Sequence, residues 1–291
     1  MGTSNAYGGP GNGTPLIPSW LDPTPSAPAP GVVPAPNPPL PGQPLPPPPQ
    51  PSSLPPIPPP AEPGRYRAPR GNFSRYASSG GSDRRNLGRA LSRYVSGSSG
   101  GSRQAARRMG ASRTAGANLL GFLRDAAARG PQEALRAIRF ERLVGKPIEE
   151  LFLGLAEYVC PDGGTIDDGI AREAYMETIA DLAEAGVTDI DELTLDQVQT
   201  IFELYAANAI EARIYNDIGT NVIQLPQDAR EVLSLQTQLH EFILRSVSDA
   251  MTQARDGLDG LTRERSMEFV TRIYEQAFGI LQSLGEAEID R

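Results

Sequence analysis

A chain of 291 residues has the length of about two domains, and its 27 basic and 35 acidic side chains give a formal net charge of −8. A single cysteine excludes an intrachain disulfide and a cysteine-rich metal site, and fits a reducing compartment. No apolar run approaches a bilayer span and the N-terminus lacks the basic and apolar regions of a signal peptide, which predicts a cytoplasmic protein without a membrane partner.

The net charge conceals an asymmetry. Residues 65–146 hold 18 basic residues against four acidic ones, a net of +14, whereas residues 147–291 hold nine arginines against 29 carboxylates, a net of −20. That split predicts a basic arm and an acidic globule. Lys146 is the only lysine. Nearly every cation is therefore a guanidinium, whose planar fork suits carboxylate, phosphate or aromatic partners, although a bias in genome composition produces the same pattern.

Residues 1–22 form a glycine-rich peptide containing the only tryptophan, Trp20. The small residue after Met1 favours removal of the methionine, which leaves Gly2 as an uncrowded α-amine. A myristoylation motif calls for Ser or Thr at the sixth position, where this chain has Ala6. A flexible terminus is the plain reading. Leu16, Ile17 and Trp20 have no packing use in a disordered tail, however, and make an apolar cluster suited to docking into a partner.

Residues 23–64 are a proline tract that includes Pro46 to Pro49 and Pro58 to Pro60. Fixed φ and missing donors predict a disordered but extended tether, which at about 3.1 Å per residue holds the terminus on the order of 100 Å from any folded body.

Residues 65–114 are a basic Arg/Tyr/Gly/Ser repeat. Ser74-Arg75-Tyr76 recurs as Ser92-Arg93-Tyr94, and each copy is followed by a small-residue run closing on Gly-Gly-Ser, at 80–82 and 100–102. The runs 77–82 and 96–102 predict loops, with short helices at Arg84–Tyr94 and Arg103–Arg113. Leu87, Ala90, Leu91 and Tyr94 fall at i, i+3, i+4 and i+7, a stripe that needs a covering surface, either a partner's or the chain's own. Leu87, Leu91 and Tyr94 are thus candidates for partner docking. Alternatively, Arg75, Arg84, Arg85, Arg89, Arg93, Arg103, Arg107 and Arg108 make a nucleic-acid-binding strip, with Tyr76 and Tyr94 stacking on bases.

Residues 115–291 predict an all-α, acidic helical bundle. Helices are expected over 112–129, from Pro131 to Val144, from Pro147 to Cys160, over Ile166–Ala185, from Thr194 to Ile218, over 227–255 and over 262–284. Thr165 with Asp168, and Thr194 with Gln197, have the spacing of capping boxes. Met267, Val270, Tyr274, Ala277, Leu281 and Leu284 alternate by three and four, as in a coiled-coil seam.

No catalytic constellation stands out. His240, the only histidine, has no nucleophile at a recognisable spacing; Cys160 has no assigned base; Lys146 lacks a phosphate-loop pattern. The Asp162, Asp167 and Asp168 turn does not have EF-hand spacing. The residues therefore predict a non-enzymatic chain with no metal and no cofactor.

Met1-Gly-Thr-Ser, Tyr7-Gly-Gly-Pro, Thr14-Pro-Leu-Ile-Pro-Ser-Trp20, then Tyr76, Gly80-Gly-Ser, Leu87-Gly-Arg-Ala90, Tyr94 and Gly100-Gly-Ser-Arg103 together resemble the QatB family of bacterial Qat anti-phage defence systems. The resemblance implies work beside an ATPase, a QueC-like enzyme and a TatD-like nuclease. QueC-type enzymes act in 7-deazaguanine chemistry and use ATP to activate a carboxylate, so the resemblance implies Gly2 as an amide acceptor, with Leu16, Ile17 and Trp20 anchoring the peptide beside the partner's pocket.

Overall fold

The computed structural model describes residues 64–184, 190, 193–219, 226, 228–254, 256–259 and 261–290. The chain divides after Pro58 into two units, and all of these residues belong to the second, Pro59–Arg291. Gly2, Leu16, Ile17 and Trp20 lie outside them.

Among the described residues every regular element is helical, as the sequence predicts. The order is α1 (Arg67–Ser78), α2 (Arg84–Arg93), a π-helical turn (Tyr94–Ser98), α3 (Ser102–Arg107), α4 (Gly110–Arg129), α5 (Pro131–Ala137) and a 3-10 turn (Glu141–Leu143). There follow α6 (Ile148–Val159), α7 (Ile166–Glu184), α8 (Leu195–Ile218), α9 (Ala229–Ala254), α10 (Asp256–Asp259) and α11 (Arg263–Asp290).

Local chemistry sets many of these boundaries. Gln197 N donates to the Thr194 hydroxyl at 3.2 Å and Thr194 N to Gln197 Oε1 at 2.8 Å, a complete capping box on α8. At α7, Asp168 N donates to Thr165 Oγ1 at 3.2 Å and Thr165 N to Asp168 Oδ2 at 3.0 Å. Gly219 closes α8 at a φ of 77°.

Other boundaries depart from expectation. α1 contains Pro69 and Gly71 and has no acidic residue in its first turn, so its intrinsic propensity is poor; burial of Phe73 and Tyr76 overrides it. The expected helix over Arg103–Arg113 is two helices, broken where Met109 is driven fully into the core. The expected Pro131–Val144 helix stops at Ala137, and Arg139 takes a φ of 65° before the 3-10 turn.

α11 is the axis, packed against α2, α3, α4 and α9, while α4 packs against α5, α6, α7 and α8 as well. Val270, Tyr274, Ala277 and Leu281 are buried as their spacing predicts, but so are Phe269, Ile273 and Phe278. The apolar face is wider than a coiled-coil seam because helices approach α11 from several sides. Met267, at 39% exposure, falls off that face.

Phe73, Tyr76, Leu87, Leu91, Tyr94 and Met109 belong to the same buried cluster as Phe202, Tyr205, Val270 and Tyr274. The apolar stripe of the repeat thus finds its surface within its own chain. Leu87, Leu91 and Tyr94 are 3%, 0% and 1% exposed, which corrects the expectation that they dock a partner: their apolar faces are already covered. Among the described residues no helix is long and apolar enough to cross a membrane.

Candidate functional site

The root of the repeat is fastened at the C-terminal end of α8, around Asp217. An acidic side chain in the last turn of a helix meets the negative end of the helix dipole, so it needs compensating donors. Asp217 Oδ2 accepts from the Tyr66 and Tyr94 hydroxyls, both at 2.9 Å, and lies 3.4 Å from Arg108 Nη2. Asp217 Oδ1 lies 3.4 Å from Arg213 Nε. Arg108 Nη2 also donates to the Tyr66 hydroxyl at 2.6 Å, and the Tyr66 and Tyr94 rings stack with centroids 6.0 Å apart.

Neighbouring groups extend the clamp. Arg70 donates to the carbonyls of Ile218 and Asp217, satisfying backbone acceptors that the end of α8 leaves open. Arg65 Nε donates to the Ser98 carbonyl, and the Ser98 hydroxyl returns a bond to the Arg65 carbonyl at 2.7 Å. Arg213 continues to Asp167 Oδ1 at 2.8 Å, and Asp167 Oδ2 accepts from Ala111 N at 2.8 Å. Asp167 therefore caps α4, whose own N-cap residue Met109 offers no side-chain bond.

The electrostatics favour holding over catalysis. Burial, reinforced by Asp217, pushes the Tyr94 and Tyr66 hydroxyls above the ordinary tyrosine value, so both stay protonated donors. Burial works to lower the Arg108 guanidinium, but the Tyr66 hydroxyl and Asp217 outweigh it.

A groove of about 410 Å³ lies among α7, α8 and α9, lined by Glu173, Glu177, Asp181, Glu211, Tyr215 and His240 among others. His240 Nδ1 sits 2.8 Å from Glu211 Oε2. That hydrogen bond raises the imidazole pKa more than burial lowers it. Cys160 is buried, its thiol directed at the Ala171 carbonyl at 3.5 Å, and burial pushes its pKa up to about 12.

Of the arginines proposed for nucleic acid, Arg75, Arg84, Arg85, Arg93, Arg103 and Arg107 are exposed and Arg89 is half-buried. Arg108 is taken up by Asp217 and Tyr66. Tyr76 and Tyr94, expected to stack on bases, are buried, and their hydroxyls bond Gln238 and Asp217. Sequence reasoning passed over Asp217, Tyr66, Arg70 and Arg213. One signal was present: an aspartate in the last turn of a helix, which the dipole disfavours unless cations meet it.

The model of one family, described as Qat anti-phage system associated protein QatB, matches residues 100–281. No curated protein matches the chain, and no solved structure matches it.

Proposed function

The chain belongs to the QatB family and is a component of the Qat anti-phage system, and from that premise we propose that it is a non-enzymatic, cytoplasmic carrier that presents its N-terminal Gly2 to a QueC-like partner. An ATPase and a TatD-like nuclease complete the set of partners. In the proposed step the free Gly2 amine attacks the carbonyl carbon of an ATP-activated carboxylate. The new C–N bond is an amide, the activating group leaves with its electron pair, and the ammonium proton passes to solvent. An α-amine of ordinary pKa is deprotonated to roughly a tenth to a sixth at about pH 7, enough to react.

The observation that supports this reading most is the clamp. Arg65, Tyr66 and Arg70 follow directly on the proline tract and are fastened to the π turn and the end of α8, so the tether has a fixed root. A proline tract of that length, which its composition predicts to be extended, would give a slim Gly-Thr-Ser end on that root access to a pocket that a folded surface would not enter. Leu16, Ile17 and Trp20 then anchor the peptide outside that pocket.

Reconstitution tests the proposal. ATP consumption by the QueC-like partner should rise on addition of the full chain, and not on addition of a chain whose N-terminal amine has been acetylated. Equal stimulation by both would sink the acceptor role.

A further inference from the structure

α2 and α3 carry two rows of arginine along the flank of α11, four of them exposed and Arg89 half-buried. On α2, Arg85, Arg89 and Arg93 follow at intervals of four, on the side opposite Leu87 and Leu91, which are buried against the core. On α3, Arg103 and Arg107 have the same interval, and Ala105 and Ala106 are the buried residues. Both helices lie along α11. Ser92 Oγ stands 3.4 Å from Glu286, and Arg103 Nε stands 4.0 Å from Glu275. Those positions on α11 are about 16 Å apart at the usual helical rise, so the rows follow one another along it. Between them, Ser96, Gly97 and Gly100 are exposed small residues.

The acidic helices of the same chain are the obvious competitors for these cations, yet they leave most of them to solvent. Arg108 is claimed by Asp217. Arg103 reaches Glu275 only at 4.0 Å, with its side chain 75% exposed. Among the described residues Arg85, Arg89, Arg93 and Arg107 pair with no carboxylate. The repeat is thus folded with its apolar side inward and its guanidinium side unneutralised.

We propose that Arg85, Arg89, Arg93, Arg103 and Arg107 form a docking strip for the phosphate backbone of nucleic acid, read without regard to sequence. An acidic protein surface would satisfy the same charges. A stable protein interface, however, is centred on buried apolar or aromatic anchors, and here Leu87, Leu91, Tyr76 and Tyr94 are all interior. Phosphate binding needs no such anchor, because release of condensed counterions drives it. Burial of both tyrosines also removes the stacking platforms on which a preference for single strands would rest. The strip therefore takes duplex and single strand alike. This inference is independent of the Gly2 reading.

The test is fluorescence anisotropy of the full chain with a labelled duplex of about 30 base pairs, titrated between about 50 and 200 mM salt. Five phosphate contacts predict a slope of log affinity on log salt of about −4.5, a loss of roughly 500-fold over that range. A scrambled duplex should bind equally. The triple variant Arg85→Gln, Arg93→Gln, Arg107→Gln should bind at least tenfold more weakly, with a slope shallower by about 2.7, and its thermal melt should fall only slightly, because these side chains are exposed and Arg93 and Arg107 give up only their place in a last helical turn. Absence of duplex binding at the lowest salt, or a triple variant that binds like the parent, overturns the strip. Polyglutamate bound more tightly than the duplex would also overturn it and assign the strip to an acidic protein.

Discussion

Gly285 on α11 and Gly88 on α2 bring two helix backbones into direct contact: a Cβ on Gly285 would stand 2.6 Å from the Gly88 carbonyl oxygen, and one on Gly88 would strike the Gly285 carbonyl. Gly88 belongs to Leu87-Gly-Arg-Ala90, so this segment of the repeat is a helix-crossing element. The crossing sets how closely α2 lies on α11, and with it the placement of the Arg85 row.

Gly285→Ala should therefore destabilise the fold despite the better helix propensity of alanine. Overpacking costs about 1–3 kcal/mol against a propensity gain of about 1 kcal/mol, so a net loss of up to about 2 kcal/mol is expected in urea denaturation. Gly279→Ala is the control, because a Cβ there meets nothing within 4 Å. It should be neutral or stabilising. Equal effects at the two positions would show that the backbone contact does not matter.

Asp217→Asn removes the anion between Arg108 and Arg213 while keeping the shape of the side chain. Asp217 is 7% exposed, so Arg108 loses its carboxylate in a largely buried setting, while Arg213 keeps only Asp167. Breaking such a pair costs about 3 kcal/mol or more. Proteolysis should then cut first near Arg65–Arg70, where the clamp holds the root of the tether. A variant as stable as the parent would mean that Asp217 is a bystander.

The single histidine makes one pH dependence easy to read. Glu211 raises the His240 pKa above its ordinary 6.5, with Asp181 and Glu241 acting in the same direction. A raised folded-state value contributes stability that is complete below 6.5 and is lost as pH climbs through the folded value. The imidazole NMR titration should have its midpoint above 6.5, and His240→Gln should flatten the stability profile over that window. A midpoint at or below 6.5 contradicts the Glu211 contact.

Cys160 offers a probe of opening. Its buried thiol, with a pKa of about 12, should resist alkylation in the folded chain and react only through unfolding. The labelling rate should rise in Asp217→Asn by about tenfold for each ~1.4 kcal/mol of lost stability. Rapid labelling of the intact fold would show that the core around α6 is open.

Much of the fold was legible because its determinants are local. Thr194 with Gln197 and Thr165 with Asp168 announce helix starts within four residues, and Gly219 announces a stop. α1 was not legible, since Phe73 and Tyr76 stabilise it only through partners distant in sequence, such as Gln238 on α9. The break at Met109 is of the same kind. For the site, the arginines could be counted, but which of them remain free depends on where Asp217 and Glu275 arrive in space. The stripe of Leu87, Leu91 and Tyr94 was legible as apolar, and only the packing of α11 decides that its cover is internal.

The most direct measurement on the carrier role is intact mass with N-terminal peptide mapping of the chain produced with and without the QueC-like partner. A Met1-free chain carrying added mass on Gly2 only when the partner is present is the predicted result. A bare Gly2 in both samples contradicts it.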